Sequence, residues 1–149
     1  MPPIDCNINI SDDLTTNVVK GSISTEDLVN WISNYYSGEI TNRILWDFSK
    51  ADLSGIPTED FRKIAKESSK KSALRTNGKS ALLVCDDLDY GLGRMFQVFS
   101  EIANVRFEYK PFKDIKKAME WLGSENFEDD QKFYDNITEM LNRNKKHKV

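Results

Sequence analysis

The sequence predicts an α/β domain on a mixed, mostly parallel five-stranded sheet, in the order ββαβαβαβα, with one further helix at the C-terminus. Three observations point this way. The chain opens with two short runs in which apolar and polar residues alternate, the period of a half-buried hairpin. Two later runs, residues 43–48 and 80–85, are almost continuously apolar, as strands covered on both faces are. Stripes of helical period separate the later strands, and alternating strands and helices imply parallel neighbours joined by crossovers.

Ile4, Cys6, Ile8 and Ile10 alternate with polar residues and predict a first strand with one buried face. Ser11-Asp12-Asp13 supplies turn chemistry, and Leu14, Thr16 and Val18 alternate again on the returning strand. Ser24 is placed to cap the first helix, with Glu26 and Asp27 at the positive end of its dipole. Leu28, Val29, Ile32, Tyr35 and Tyr36 give its apolar stripe, which ends at Gly38. The strand over 43–48 follows, then a helix from Thr58 to about Thr76, stopped by Asn77-Gly78. After the strand over 80–85, Leu88, Leu92, Met95, Phe96, Phe99 and Ile102 form the strongest helical stripe in the chain. Residues 105–112 alternate as a last strand, and Pro111 places it at an edge or a strand end. Asp114 then opens a helix with Ile115, Ala118, Met119 and Leu122, closed by Gly123.

Residues 1–123 thus make one domain, and residues 124–149 an appended amphipathic helix with a basic tail. The apolar positions of that segment, Phe133, Tyr134, Ile137, Met140 and Leu141 among them, must bury somewhere. Packing on its own domain is the simplest way; covering a sheet edge and exchange with a second copy in a homodimer are the others.

Composition excludes several chemistries. The one histidine, His147, is third from the C-terminus in a lysine-rich tail, which argues against a Ser-His-Asp triad and a histidine-ligated metal. Cys6 and Cys85 form no CxxC pair. No secretory signal opens the sequence, and the longest apolar run, residues 81–85, is far short of a membrane span, so a cytoplasmic protein with reduced thiols is expected. The net charge of −3 gives no global signature of nucleic-acid binding. No cofactor, metal or catalytic residue is expected.

The segment Trp46-Asp47-Phe48-Ser49-Lys50-Ala51-Asp52-Leu53-Ser54-Gly55-Ile56 is a strand end, then Asp-x-Ser-Gly-aliphatic, then a helix. It resembles the STAS domain of anti-sigma-factor antagonists. The resemblance to small bacterial SpoIIAA-like proteins of STAS/SEC14 type is closer. It rests on Trp46-Asp47-Phe48, Leu53-Ser54-Gly55-Ile56, Glu59-Asp60 at the helix entry, and the run from Tyr90 to Gln97. The closing stretch, Phe112-Lys113-Asp114-Ile115 and Ala118-Met119-Glu120-Trp121-Leu122-Gly123, completes it over about residues 3–123. The resemblance implies a regulatory, non-enzymatic module in which a loop serine accepts phosphate. Leu53 stands where the antagonists carry their first serine, and only three residues separate Ser49 from Leu53, so the role passes to Ser54 alone.

Asp47, Ser49, Asp52 and Gly55 then form a partner-docking loop around Ser54. Asp52, Glu59 and Asp60 would repel a phosphate there, which suits release of a docked protein, while amides at the following helix start could receive it. The plainer reading of Ser54-Gly55 is a turn. A small amphipathic or lipid-like ligand is the alternative, held among Trp31, Tyr35, Trp46 and Phe48. Aromatics at such spacings also serve as ordinary core.

Between residues 62 and 79, seven basic side chains stand against Glu67, a local net of +6. Arg62, Lys66 and Lys70 share one helical face, which could meet an anionic head or simply be solvated. Gly91-x-Gly93 lacks the third glycine of a dinucleotide fingerprint, Phe96 standing there, so these glycines are read as allowing close helix approach. Asp86, Asp87 and Asp89 are read as capping that helix. Asp47 and Asp52 could pair as carboxylates, but nothing supplies them with a nucleophile.

Overall fold

The computed structural model describes residues 3–123. The strands are β1 (Ile4–Asn9), β2 (Leu14–Ser22), β3 (Arg43–Asp52), β4 (Lys79–Leu83) and β5 (Glu108–Phe112). They pair in chain order, with β1 antiparallel to β2 and the other neighbours parallel. The helices are α1 (Thr25–Tyr35), α2 (Asp60–Ser69), α3 (Asp87–Ile102) and α4 (Ile115–Trp121), with a 3₁₀ turn over Ser72–Arg75. The mixed sheet and the order ββαβαβαβα are those the sequence predicts. The appended helix expected over 124–149 lies outside the described residues.

Strand order explains the layers. Each right-handed crossover steps the sheet in the same direction, so α1, α2 and α3 lie on one face. Ile44, Trp46 and Phe48 of β3 and Leu82 and Val84 near β4 meet them in the larger core. The opposite face carries Leu14, Leu45, Ala81 and Leu83, packed against Ala118, Met119 and Leu122 of the α4 region. Ser24 and Asp27 form a reciprocal capping box at α1, and Asp86 and Asp114 cap α3 and α4.

Several boundaries differ from the sequence expectation. In β1 only Ile4 is buried, while Cys6, Ile8 and Ile10 are exposed. That strand is an edge, and α1 connects β2 to β3, so it covers those strands instead. The stripe of α3 is exposed at both ends, at Leu88 and Ile102. Its 16 residues span about 24 Å, against about 17 Å for the five-residue strand β4, so the helix overhangs the sheet. The last strand starts at Glu108, not near residue 105, because Asn104 turns the chain with φ 59°.

The helix expected from Thr58 to Thr76 divides into α2 and the 3₁₀ turn, which carries Arg75 into the interior. Arg75 Nε donates to Thr41 O at 2.8 Å, Nη1 to Ser80 Oγ at 3.1 Å, and Nη2 to Asn42 O at 3.0 Å and Lys79 O at 3.2 Å. Its guanidinium also lies 4.2 Å from the centre of the Phe107 ring. The backbone is drawn so close here that a Cβ on Gly78 would stand 2.7 Å from Asn42 O. Arg75 therefore leaves the basic surface, and Lys79, donating to Trp121 O at 3.0 Å, is partly withdrawn from it.

Charge-assisted bonds of this kind are worth roughly 1.5–3 kcal/mol each, and the acceptors would be left buried without the donor. Arg75→Met is expected to lower the unfolding free energy in urea by about 3 kcal/mol or more, with Arg75→Lys recovering less than half. A loss below about 1 kcal/mol would show that the clamp is dispensable.

Candidate functional site

β3 runs five residues past the end of its parallel neighbour β4, whose last residue Leu83 pairs with Asp47, and the loops after the two strands lead into α2 and α3. Between the sheet and α1, α2 and α3 lies a partly open apolar cavity of about 60 Å³. Trp46 and Phe48 of β3 and Leu82 and Val84 form the sheet side of its wall. Ile32, Phe61, Ile64 and Phe96 form the helical side. The half-buried lining residues Leu53, just after β3, and Asp89 and Leu92, in the first turns of α3, stand at its rim. Tyr109 closes the floor, its hydroxyl 3.0 Å from Ser68 Oγ, and burial pushes its phenol pKa well up.

Of the four aromatics expected to form a pocket, Trp46 and Phe48 line this one and Trp31 and Tyr35 do not. Trp31 backs the wall, stacked on Tyr35 at 4.8 Å and edge-on to Trp46 at 4.7 Å. Tyr35 is committed to structure: its hydroxyl accepts from Thr41 N at 2.7 Å and contacts Thr15 Oγ1 at 3.2 Å. Gly93 lets α3 approach the sheet, since a Cβ there would stand 2.8 Å from Pro111 Cβ.

The expected docking loop is only partly a loop. β3 continues to Asp52 because β2 keeps pairing with it through Ser22, so Ser49 and Asp52 are strand residues. Asp47 is 1% exposed, which removes it from any docking surface. Its Oδ1 accepts from Ser49 N at 2.9 Å and Ser49 Oγ at 2.5 Å. Asp47 is buried and bonded to Ser49, whereas Asp52 is exposed at the far end of β3, five residues or roughly 16 Å further along the strand, so the two do not pair as carboxylates.

Ser54 and Gly55 are exposed. A bond from the Ser54 hydroxyl, and after it the one that Ser54 N donates to Asp52 Oδ1 at 2.9 Å, hold the Asp52 carboxyl below its ordinary pKa. The amides expected to receive a phosphate are engaged: Asp60, Phe61 and Arg62 donate to the carbonyls of Pro57, Thr58 and Glu59. A phosphate on Ser54 would face Asp52 instead.

Asp89 is half-buried, and its pKa is raised by burial first and then by the charges of Asp86 and Asp52. Cys85, Asp86 and Asp89 bring their ligand atoms within 4.8 Å of one another, a donor set of the kind that holds cations. Asp86 already spends one oxygen on Asp89 N at 2.8 Å as the α3 cap. The sequence marks Asp86 and Asp89 as capping residues, and no local pattern signals that Asp89, Leu53 and Leu92 meet at one opening.

Arg62 and Lys66 on α2 and Lys70 just after it are exposed, but apart from the cavity wall. Arg62 lies 4.9 Å over the Phe99 ring, and with Lys66 and Ile102 it borders an open groove between α2 and α3. Lys70 is paired with Glu67 at 2.6 Å.

No protein-family model matches the chain, and no curated protein matches it significantly. Among solved structures, it is similar to the crystal structure of an uncharacterized protein of the DUF3478 family from Shewanella loihica PV-4, described as having a SpoIIAA-like fold. The fold is SpoIIAA-like. The superposition covers 80% of this chain and 91% of the other, at 20% identity and a TM-score of 0.52. Among the described residues, no helix is long and apolar enough to cross a membrane.

A pH titration followed by NMR should place the Asp52 midpoint below the ordinary carboxylate range. Ser54→Ala removes the hydroxyl donor and keeps the amide, so the midpoint should rise part of the way back. An unchanged midpoint in the variant would mean that the hydroxyl bond does not form in solution.

Proposed function

We propose that this protein is a non-catalytic binding module that takes the apolar part of a small amphipathic ligand into the cavity beneath Leu53. The apolar cavity itself is the observation that supports this reading. It opens where the parallel strands β3 and β4 end, the region where open α/β sheets place their ligands. Its wall is aromatic and aliphatic apart from Asp89 and the engaged hydroxyl of Tyr109, which suits binding more than bond-making. A void of this size accepts a few carbon atoms, and an apolar lining favours an apolar guest over water.

Leu53→Trp, at the half-buried rim, should block the entrance without disturbing the sheet. Titrating 1-hexanol into the wild type should shift the methyl NMR signals of Ile32, Ile64 and Leu92, and these shifts should be absent in the variant. Wild-type spectra unmoved at about 10 mM hexanol, an affinity weaker than about −3 kcal/mol, would remove the reading.

A second reading concerns the exposed loop, and the Asp52–Ser54 contact favours it. Leu53, between these two residues, forms part of the cavity rim, so a protein partner docked on the loop would sense its occupancy. Phosphate on Ser54 would break the Asp52 contact by repulsion and release that partner. A pull-down should recover the partner with the wild type and lose it with Ser54→Asp; equal recovery by both would end this switch.

A further inference from the structure

We propose that the head group of the cavity's ligand is cationic: a short apolar body inserts between the aromatic walls, and an ammonium group rests at the rim beside Asp89. The inference rests on the cavity being a ligand site, and it names the chemistry that site selects. Asp89 is the one carboxylate among the residues that line the cavity, and no lysine, arginine or histidine lines it with Asp89. Two further carboxylates adjoin the opening. Asp86 holds the amide of Asp89 at 2.8 Å, and Asp52 directly precedes the rim residue Leu53.

Both act on Asp89, whose carboxyl is already made harder to ionise by burial and whose pKa their charges raise further. A cation at the opening would therefore relieve a repulsion that the folded chain otherwise carries. An anion would add a fourth negative charge in partly desolvated surroundings, where Coulomb interactions are stronger than in water.

The wall points the same way. Four of its lining residues, Trp46, Phe48, Phe61 and Phe96, are aromatic, a side-chain class whose rings can attract cations. Two cations of this region are directed elsewhere. Lys113 Nζ is 2.5 Å from Asp87 Oδ1, an exposed acid that does not line the cavity, and Arg62 lies over Phe99 on the outer groove. An anionic head anchored by Arg62, Lys66 and Lys70, the arrangement that sequence placement suggests, would have to leave the cavity to reach them.

Calorimetric titration of the full-length protein at low salt with hexylammonium, 1-hexanol and hexanoate tests this. Hexylammonium should bind about tenfold more tightly than hexanoate, with the alcohol between them, and about 0.5 M NaCl should narrow the gap. Asp89→Asn should reduce it to about threefold at low salt. Equal binding of all three compounds by the wild type would overturn the cationic assignment and leave the cavity reading standing. Binding of none would overturn both. A gap that neither salt nor Asp89→Asn changes would also overturn the assignment, because it would not arise from charge at the rim.

Discussion

The guanidinium of Arg75 is buried, and among the described residues no carboxylate pairs with it. Its charge is carried instead by three backbone carbonyls, one serine hydroxyl and the face of Phe107. Those acceptors belong to the entry of β3, the entry of β4 and the approach to β5, so one side chain fixes the starts of three neighbouring strands. Leaving the guanidinium without acceptors, or the acceptors without it, costs more than the bonds add, which makes the arrangement all-or-none. The close approach at Gly78 and the break between α2 and the 3₁₀ turn follow from bringing Arg75 inward.

With the strand entries fixed, the opposite ends are free to carry loops of differing length. Three crossovers of the same hand stack three helices on one face, and their side chains fill the space over the sheet incompletely. The remaining void lies near the strand ends, bounded by residues from every layer of the larger core. The core on the second face is smaller among the described residues. The cavity is thus a product of connectivity as much as of composition.

Much of the architecture was legible in the sequence, because strand and helix periods and caps are local properties. Ser24, Asp86 and Asp114 mark helix starts by short-range hydrogen bonds, and the apolar runs of β3 and β4 reveal burial on both faces. The reading misled where burial depends on distant neighbours. Ile8 and Ile10 alternate like core residues yet are exposed at the end of an edge strand, and Arg75 resembles a surface cation yet is buried. The candidate residues divide for the same reason: Trp46 and Phe48 lie on the cavity wall while Trp31 and Tyr35 do not, and Ser54 is exposed while Asp47 is buried.

The sequence by itself determined the class of fold, the order of its elements and the absence of histidine-based chemistry from residues 3–123, since these depend on residue identity and local period. Only the tertiary structure decided that Leu53, Asp89 and Leu92 share one opening, that Asp47 is buried while Asp52 is exposed, and that the α2 cations stand away from the cavity. Those relations join residues dozens of positions apart. They are set by strand register and crossover hand, which no local window of the chain contains.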